Sequence, residues 1–225
     1  MNLIKKRRSR SFFGIPGYAA VPFWIDFLIN MFTYYGTRMI NSGRFHYDLT
    51  TPWDRMIPAD GWWVIIYFGC YLFWIAGFIL VAREDDETCF RLLGGNMIGK
   101  LLVTAIFLLI PTTIARPQIT GSGLDDAMLK MLYWLDEPNN LLPSLHCYMS
   151  WYVCRWLGRR KNHTHAGMIL AWIFCFMIFY STLATRQHYL VDIVAGVAVA
   201  EMALAAEKWF RPGRIYRWVD NRIKD

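Results

Sequence analysis

The sequence predicts an all-α, polytopic membrane bundle of six transmembrane helices with both termini cytoplasmic. Three observations carry this expectation. The 225-residue chain is 56% hydrophobic and 18% charged, with a mean hydropathy of +0.25, whereas an average soluble domain is about 45–50% apolar and about 25% charged. Its apolar residues and charges are separated into blocks. Its lysines and arginines fall unevenly on the two sides that those blocks define. Together they argue against a soluble globular domain and against disorder.

A bilayer-crossing helix needs about 20 mostly apolar residues. Six segments are candidates: Pro22–Ile40, Trp62–Ala82, Met97–Ala115, Leu145–Leu157, Gly167–Leu183 and Tyr189–Phe210. The first is weakened by Asp26 and by Arg38 near its end. The fourth is short and borrows the turn at Pro143–Ser144. The chain therefore divides into a basic cytoplasmic tail (1–21), a six-span membrane domain (22–210) and a basic C-terminal tail (211–225). Lys5, Lys6, Arg7, Arg8 and Arg10 precede an apolar region, as in a signal peptide, but Pro16, Gly17 and Pro22 break that run. The segment reads as a retained tail leading into an anchor.

Basic residues in short loops stay in the cytoplasm. One side collects 18 of the 24 lysines and arginines; the other holds Arg38, Arg44, Arg55, Arg116, Lys130 and Arg186. This ratio places both termini inside. The net charge of +7 points by its placement to anionic lipid and not to nucleic acid. The 11 Trp and 12 Tyr suit bilayer interfaces. The five cysteines show neither a disulfide framework nor a CxxC metal pattern.

Three polar clusters fall on the outer side: Arg116-Pro117, Pro143-Ser144-Leu145-His146, and Ser181 to Asp192. His188 and Asp192 are four residues apart and share a helix face. A carboxylate there fixes the imidazole tautomer and leaves the other ring nitrogen basic, which suits a nucleophile or a base. The plain alternative is a pair satisfying itself in a bundle core. His146 follows a helix start, where free N–H groups and the dipole favour an anion. Ser144 adds a hydroxyl, and His146 is placed to protonate a leaving group. Alone, these two read equally as a capping serine and an interfacial histidine. Arg116 and Arg186 bring planar guanidinium groups that match phosphate oxygens, although Arg186 also reads as a membrane-edge arginine.

Together these residues resemble the type 2 phosphatidic acid phosphatase superfamily, which includes lipid phosphatases and inositol phosphorylceramide synthases. Its first motif, Lys, six residues, then Arg-Pro, is matched by Arg116-Pro117 but has Leu109 at the Lys position. Its Pro-Ser-Gly-His is Pro143-Ser144-Leu145-His146. Its Ser-Arg, five residues, His, three residues, Asp is matched by Ser181, His188 and Asp192, with Thr182 at the Arg position. Leu145 for Gly, and Arg186 two before His188, look like the inositol-phosphotransferase branch and related bacterial proteins.

The resemblance implies that His188 attacks phosphorus, that Asp192 orients it, and that His146 protonates the departing alkoxide. Ser144, Leu145, Arg116 and Arg186 surround the phosphoryl oxygens, with no metal and no cofactor. The expected activity is hydrolysis of a membrane lipid phosphate at the extracytoplasmic face, in a bacterial plasma membrane. The runner-up is a lipid phosphotransferase, and the rival from another class is a non-catalytic lipid-binding or transport protein. No oligomeric state is readable. His163 and His165 read as a solvated basic loop. Asp125, Asp126, Asp136 and Glu137 read as a solvated outer loop. Asp48, Asp54 and Pro58 receive no role, and Asp26 is expected to pair with another span or line a polar cavity.

Overall fold

The computed structural model describes residues 11–12 and 14–224. Much of the predicted basic tail of residues 1–21 thus lies outside the described residues. Among the described residues the regular structure is helical apart from two pairs of two-residue strands. Helix α1 (Ala20–Met31) passes through a π-turn, Phe32–Gly36, into α2 (Thr37–Asn41). A short α3 (Pro52–Met56) and a 3-10 turn (Gly61–Trp63) lead into α4 (Val64–Ala82). Then follow α5 (Asp86–Leu109), α6 (Leu124–Leu135), α7 (Leu145–Leu157), α8 (His165–Ala184), α9 (Leu190–Phe210) and α10 (Gly213–Lys224).

Among the described residues three helical segments are long and apolar enough to cross a membrane: Gly61–Ala82, Asp86–Leu109 and His165–Ala184. Their outer faces expose Ile65, Leu72, Ile75, Leu101, Ile173 and Phe176, the surface of an integral membrane protein. The other predicted spans differ for local reasons. The π-turn interrupts the α1–α2 run. Helix α7 has 13 residues, about 20 Å at the helical rise. Helix α9 carries Asp192, Glu201, Glu207 and Lys208.

The third segment begins at Asp86 rather than Met97 and ends at Leu109 rather than Ala115. Asp85 caps its start by accepting from the Thr88 N–H at 2.7 Å, with Asp86 and Glu87 in the first turn, where carboxylates suit the positive dipole end. Pro111 disfavours helix at Ile110, which leaves the α region. Arg116 consequently lies in an irregular segment beyond the helix. Two further departures concern loops. The predicted solvated stretch around Asp125 and Asp126 is helix α6, because Leu129 and Leu132 share a face and bury against Val64 and Tyr67. Gly61 is needed there: a Cβ would sit 2.1 Å from the Asp125 carbonyl oxygen. The C-terminal tail is largely helix α10, anchored by buried Tyr216.

Helix α7 runs through the centre. Tyr148, Tyr152, Val153 and Trp156 join the main core with residues of α4, α5 and α9, and several of its polar groups bond to neighbouring helices. Tyr152 donates to the Leu92 carbonyl at 2.7 Å, and Trp74 donates to Ser150 at 2.9 Å. Asp26 pairs with another helix, as expected: Lys100 Nζ and Asn96 Nδ2 of α5 both donate to its carboxylate at 2.8 Å. Lys100, one of the 18 cations counted on the inner side, is only 1% exposed.

At the other end the loops are stitched together. Strand Tyr47–Asp48 pairs in parallel with Thr112–Thr113, and Thr113 bridges to Asn139. Asn140 Nδ2 donates to Thr37 Oγ1 at 2.9 Å. The Ser144 N–H donates to the Asp192 carbonyl at 3.1 Å, joining the start of α7 to the first turn of α9.

Candidate active site

The catalytic candidates come from the N-terminal ends of two adjacent helices. At α9, Asp192 Oδ2 accepts from the Tyr189 N–H at 2.9 Å, closing the helix start. The same oxygen accepts from His188 Nδ1–H at 3.1 Å. Asp192 is fully buried, so this cap also fixes the ring. At α7, Ser144 caps the helix by accepting from the Cys147 N–H at 3.3 Å. His146 follows one residue into the helix. Its ring centroid lies 5.7 Å from that of His188. The two distant motifs thus meet, because α7 and α9 start side by side.

The surroundings of the imidazoles differ. His146 packs against Tyr67, with centroids 4.3 Å apart, and Trp74, 5.5 Å apart. Both of its ring nitrogens are buried without a hydrogen-bond partner. An unmet buried polar atom costs about 1–3 kcal/mol. Asp192 Oδ1, Gln187 Nε2 and Arg116 Nε share that condition. Such groups are rare in a native interior and each calls for an explanation; a polar ligand seated here supplies one.

Two cavities meet at His188. One of about 330 Å³ is lined by Tyr34, Tyr67, Tyr71, Asp136, His146 and His188. The other, of about 510 Å³, is lined by Asp48, Arg55, Arg116, Arg186, His188 and Tyr189. Each arginine is tethered. Arg116 Nη1 donates to the Asp136 carbonyl and Nη2 to Gln187 Oε1, both at 2.5 Å. Its guanidinium also lies over Tyr133, 4.5 Å from the ring centroid, a favourable cation–π distance. Burial pushes the Arg116 guanidinium below the usual arginine range, while the Asp136 carboxylate works the other way. Arg186 has φ +54°, an uncommon conformation for a residue with a Cβ. It is held by donating Nη1 to the Asp54 carbonyl at 2.7 Å and Nη2 to that of Ile57 at 2.5 Å. The Thr182 carbonyl accepts from the N–H groups of Gln187 and His188. Thr182 thus shapes the loop through its backbone.

Leu145 is the first residue of α7 and borders the smaller cavity. Leu109, at the family's lysine position, is 75% exposed and lines neither cavity. Arg55 borders the larger cavity with Arg116 and Arg186 and adds a third cation there.

Sequence reasoning missed the supporting residues. Asp136 accepts from the hydroxyls of Tyr34 and of Tyr67, the latter at 2.8 Å, so it is no solvated loop acid. Asp54 accepts from the Thr51 and Leu190 N–H groups, both at 2.8 Å, tying the first outer loop to the start of α9. The Thr51–Asp54 capping spacing was readable; the long-range bonds were not. Among the described residues no group of three or more His, Cys, Asp or Glu side chains is placed to hold a metal ion.

No curated protein and no solved structure gives a significant match to the chain. A family model does match, over residues 58–206, about two thirds of the chain, a region that contains Arg116, His146, His188 and Asp192. The chain belongs to the PAP2 superfamily.

Proposed function

We propose that the protein is a lipid phosphate phosphatase that works through a phosphohistidine on His188 at the extracytoplasmic face. The observation carrying this reading is the meeting of the two imidazoles, 5.7 Å between ring centroids, with only His188 bonded to a carboxylate. That asymmetry assigns the roles. Donation of Nδ1–H to Asp192 leaves Nε2 as the attacking atom and stabilises the imidazolium that forms.

His188 Nε2 forms a bond to phosphorus as the bond to the lipid oxygen breaks. His146, in its protonated form, gives the leaving oxygen its proton. It then takes a proton from water as the water oxygen attacks the phosphohistidine, and inorganic phosphate leaves with His188 restored. Arg116, Arg186, Ser144 and the start of α7 at Leu145 supply the positive field for its oxygens. The basic-residue count supports the reading of six crossings with both termini cytoplasmic, in which this end of the bundle faces outside.

The test is a release assay on purified protein across phosphatidic acid, isoprenyl diphosphate, phosphatidylglycerol phosphate and ceramide-linked phosphates. Free phosphate from at least one of them, without added alcohol, is the expected result. Product formed only when an alcohol is added would replace hydrolysis by phosphotransfer.

A further inference from the structure

At the opposite end of α9, about 30 Å away at 1.5 Å per residue, lies a third cavity of about 520 Å³. Its lining includes Arg91, Lys208, Arg211, Arg214 and Arg217, set against Glu87 and Glu207. Glu207 accepts from Arg91 Nε at 2.6 Å and also meets Arg159 at 3.5 Å. Glu87 pairs with Arg217. No acidic side chain among the described residues pairs with Lys208, Arg211 or Arg214. The cavity therefore holds an excess of positive charge, and α10 begins on its wall at Gly213, adding the positive end of its dipole.

A basic cytoplasmic tail needs no such construction to set topology. Here the corner between α9 and α10 is fixed in place. Arg211 adopts φ +48° to turn the chain. A Cβ on Gly94 would lie 2.4 Å from the Gly213 nitrogen, and one on Gly213 would lie 2.7 Å from the Phe90 carbonyl oxygen. The two backbones touch, and Tyr216 is buried behind them at 1% exposure. Trp209, Phe210, Ile215 and Trp218, next in sequence to the lining residues Lys208, Arg211, Arg214 and Arg217, are exposed. Cations beside exposed aromatic and aliphatic residues match the boundary of headgroups and acyl chains.

We infer that this cavity binds the phosphate headgroup of an anionic phospholipid, at a site separate from the catalytic one. A phosphate-bearing anion is the ligand that its charge recognises. The exposed apolar residues beside those cations assign the source to lipid, whose chains lie along Trp209 and Trp218 while Lys208, Arg211 and Arg214 hold the phosphate.

The test compares full-length protein in phosphatidylcholine bilayers with and without phosphatidylglycerol, reading co-purified phosphatidylglycerol by native mass spectrometry. We expect selective retention of phosphatidylglycerol that falls on the order of tenfold in Arg211→Gln/Arg214→Gln, the scale set by basic residues at an anionic surface. Retention should persist in His188→Ala and in Arg83→Gln/Lys161→Gln, which removes equal charge from the same face outside the cavity. An equal loss in the Arg83/Lys161 variant would reduce the effect to diffuse charge. Loss in His188→Ala would assign the lipid to the catalytic site. Displacement by inorganic phosphate at constant ionic strength would make the ligand a soluble anion. Each of those three outcomes overturns the proposal.

Discussion

Two buried polar clusters lie within the same bundle and differ in how fully they are satisfied. In the first, Asp26 accepts from Asn96 and Lys100, and Asn96 Oδ1 accepts from the Tyr148 hydroxyl at 2.7 Å. In the second, His188 and Asp192 are bonded to each other, but both nitrogens of His146 and single atoms of Asp192, Gln187 and Arg116 have no partner. A polar network that is complete locks its helices together, whereas an incomplete one costs stability until something fills it. The first cluster joins α1 to α5 and reads as structure. The second borders two cavities and reads as a site prepared for a ligand.

The comparison can be broken by substitution, and the largest effect should come from the incomplete cluster. His188→Ala should lower phosphate release by about 10⁴-fold or more, as loss of a nucleophile does, with expression and apparent Tm kept. His146→Ala should cost about 10²–10⁴-fold, the range of general acid–base catalysis. Because its nitrogens are unpartnered in the free protein, the same change should leave thermal stability in detergent equal to or above that of the parent. A large loss of stability in His146→Ala would place both clusters in the structural class.

The complete cluster should respond the other way. Lys100→Met strands the Asp26 carboxylate and should cost about 3–5 kcal/mol, the usual result of breaking a buried pair, read as a lower apparent Tm. Asp26→Leu/Lys100→Met leaves no lone charge and should recover part of that loss. Whatever enzyme folds in either variant should keep its catalytic constant, because the cluster contacts neither imidazole. A Lys100→Met protein of normal stability but no activity would contradict that division.

The smallest effect concerns Asp48, outside the helices. Hydrogen bonds from the hydroxyls of Thr50 and Tyr189 hold its carboxyl below the usual range. A depressed folded-state value contributes stability above the unfolded value of about 4, lost as pH falls through the folded value. Asp48→Asn should therefore lower stability slightly at neutral pH and converge with the parent as pH falls below about 4, which flattens a small part of the acid limb.

The chain announces some of this in its sequence and conceals the rest, for physical reasons. Helices α4 and α8 are apolar runs long enough to be seen directly, and α7 and α9 are flanked by motif residues that fixed their starts. Helix α6 was hidden because Asp125, Asp126, Asp136 and Glu137 crowd its ends and mask the spacing of Leu129 and Leu132. The end of α5 was misplaced because the apolar composition continues past Pro111. His188 and Asp192 were legible because their bond is local. Asp136, Asp54 and Gln187 act through partners far along the chain, and no periodicity encodes that. The pairing of Asp26 was foreseen in kind, but the predicted span from Met97 put Lys100 at its inner end, where it was counted with the cytoplasmic charges, whereas the helix begins at Asp86 and holds Lys100 in its interior.

The most direct test of the account is to mix the protein with a lipid phosphate that it turns over, quench in base within a turnover, and map phosphorylated peptides by mass spectrometry. We expect an acid-labile, base-stable phosphoryl group on His188, absent from His188→Ala and formed more slowly in His146→Ala. Phosphorylation of His146 instead, or turnover with no labelled histidine at any time, would contradict the assignment of His188 as the nucleophile.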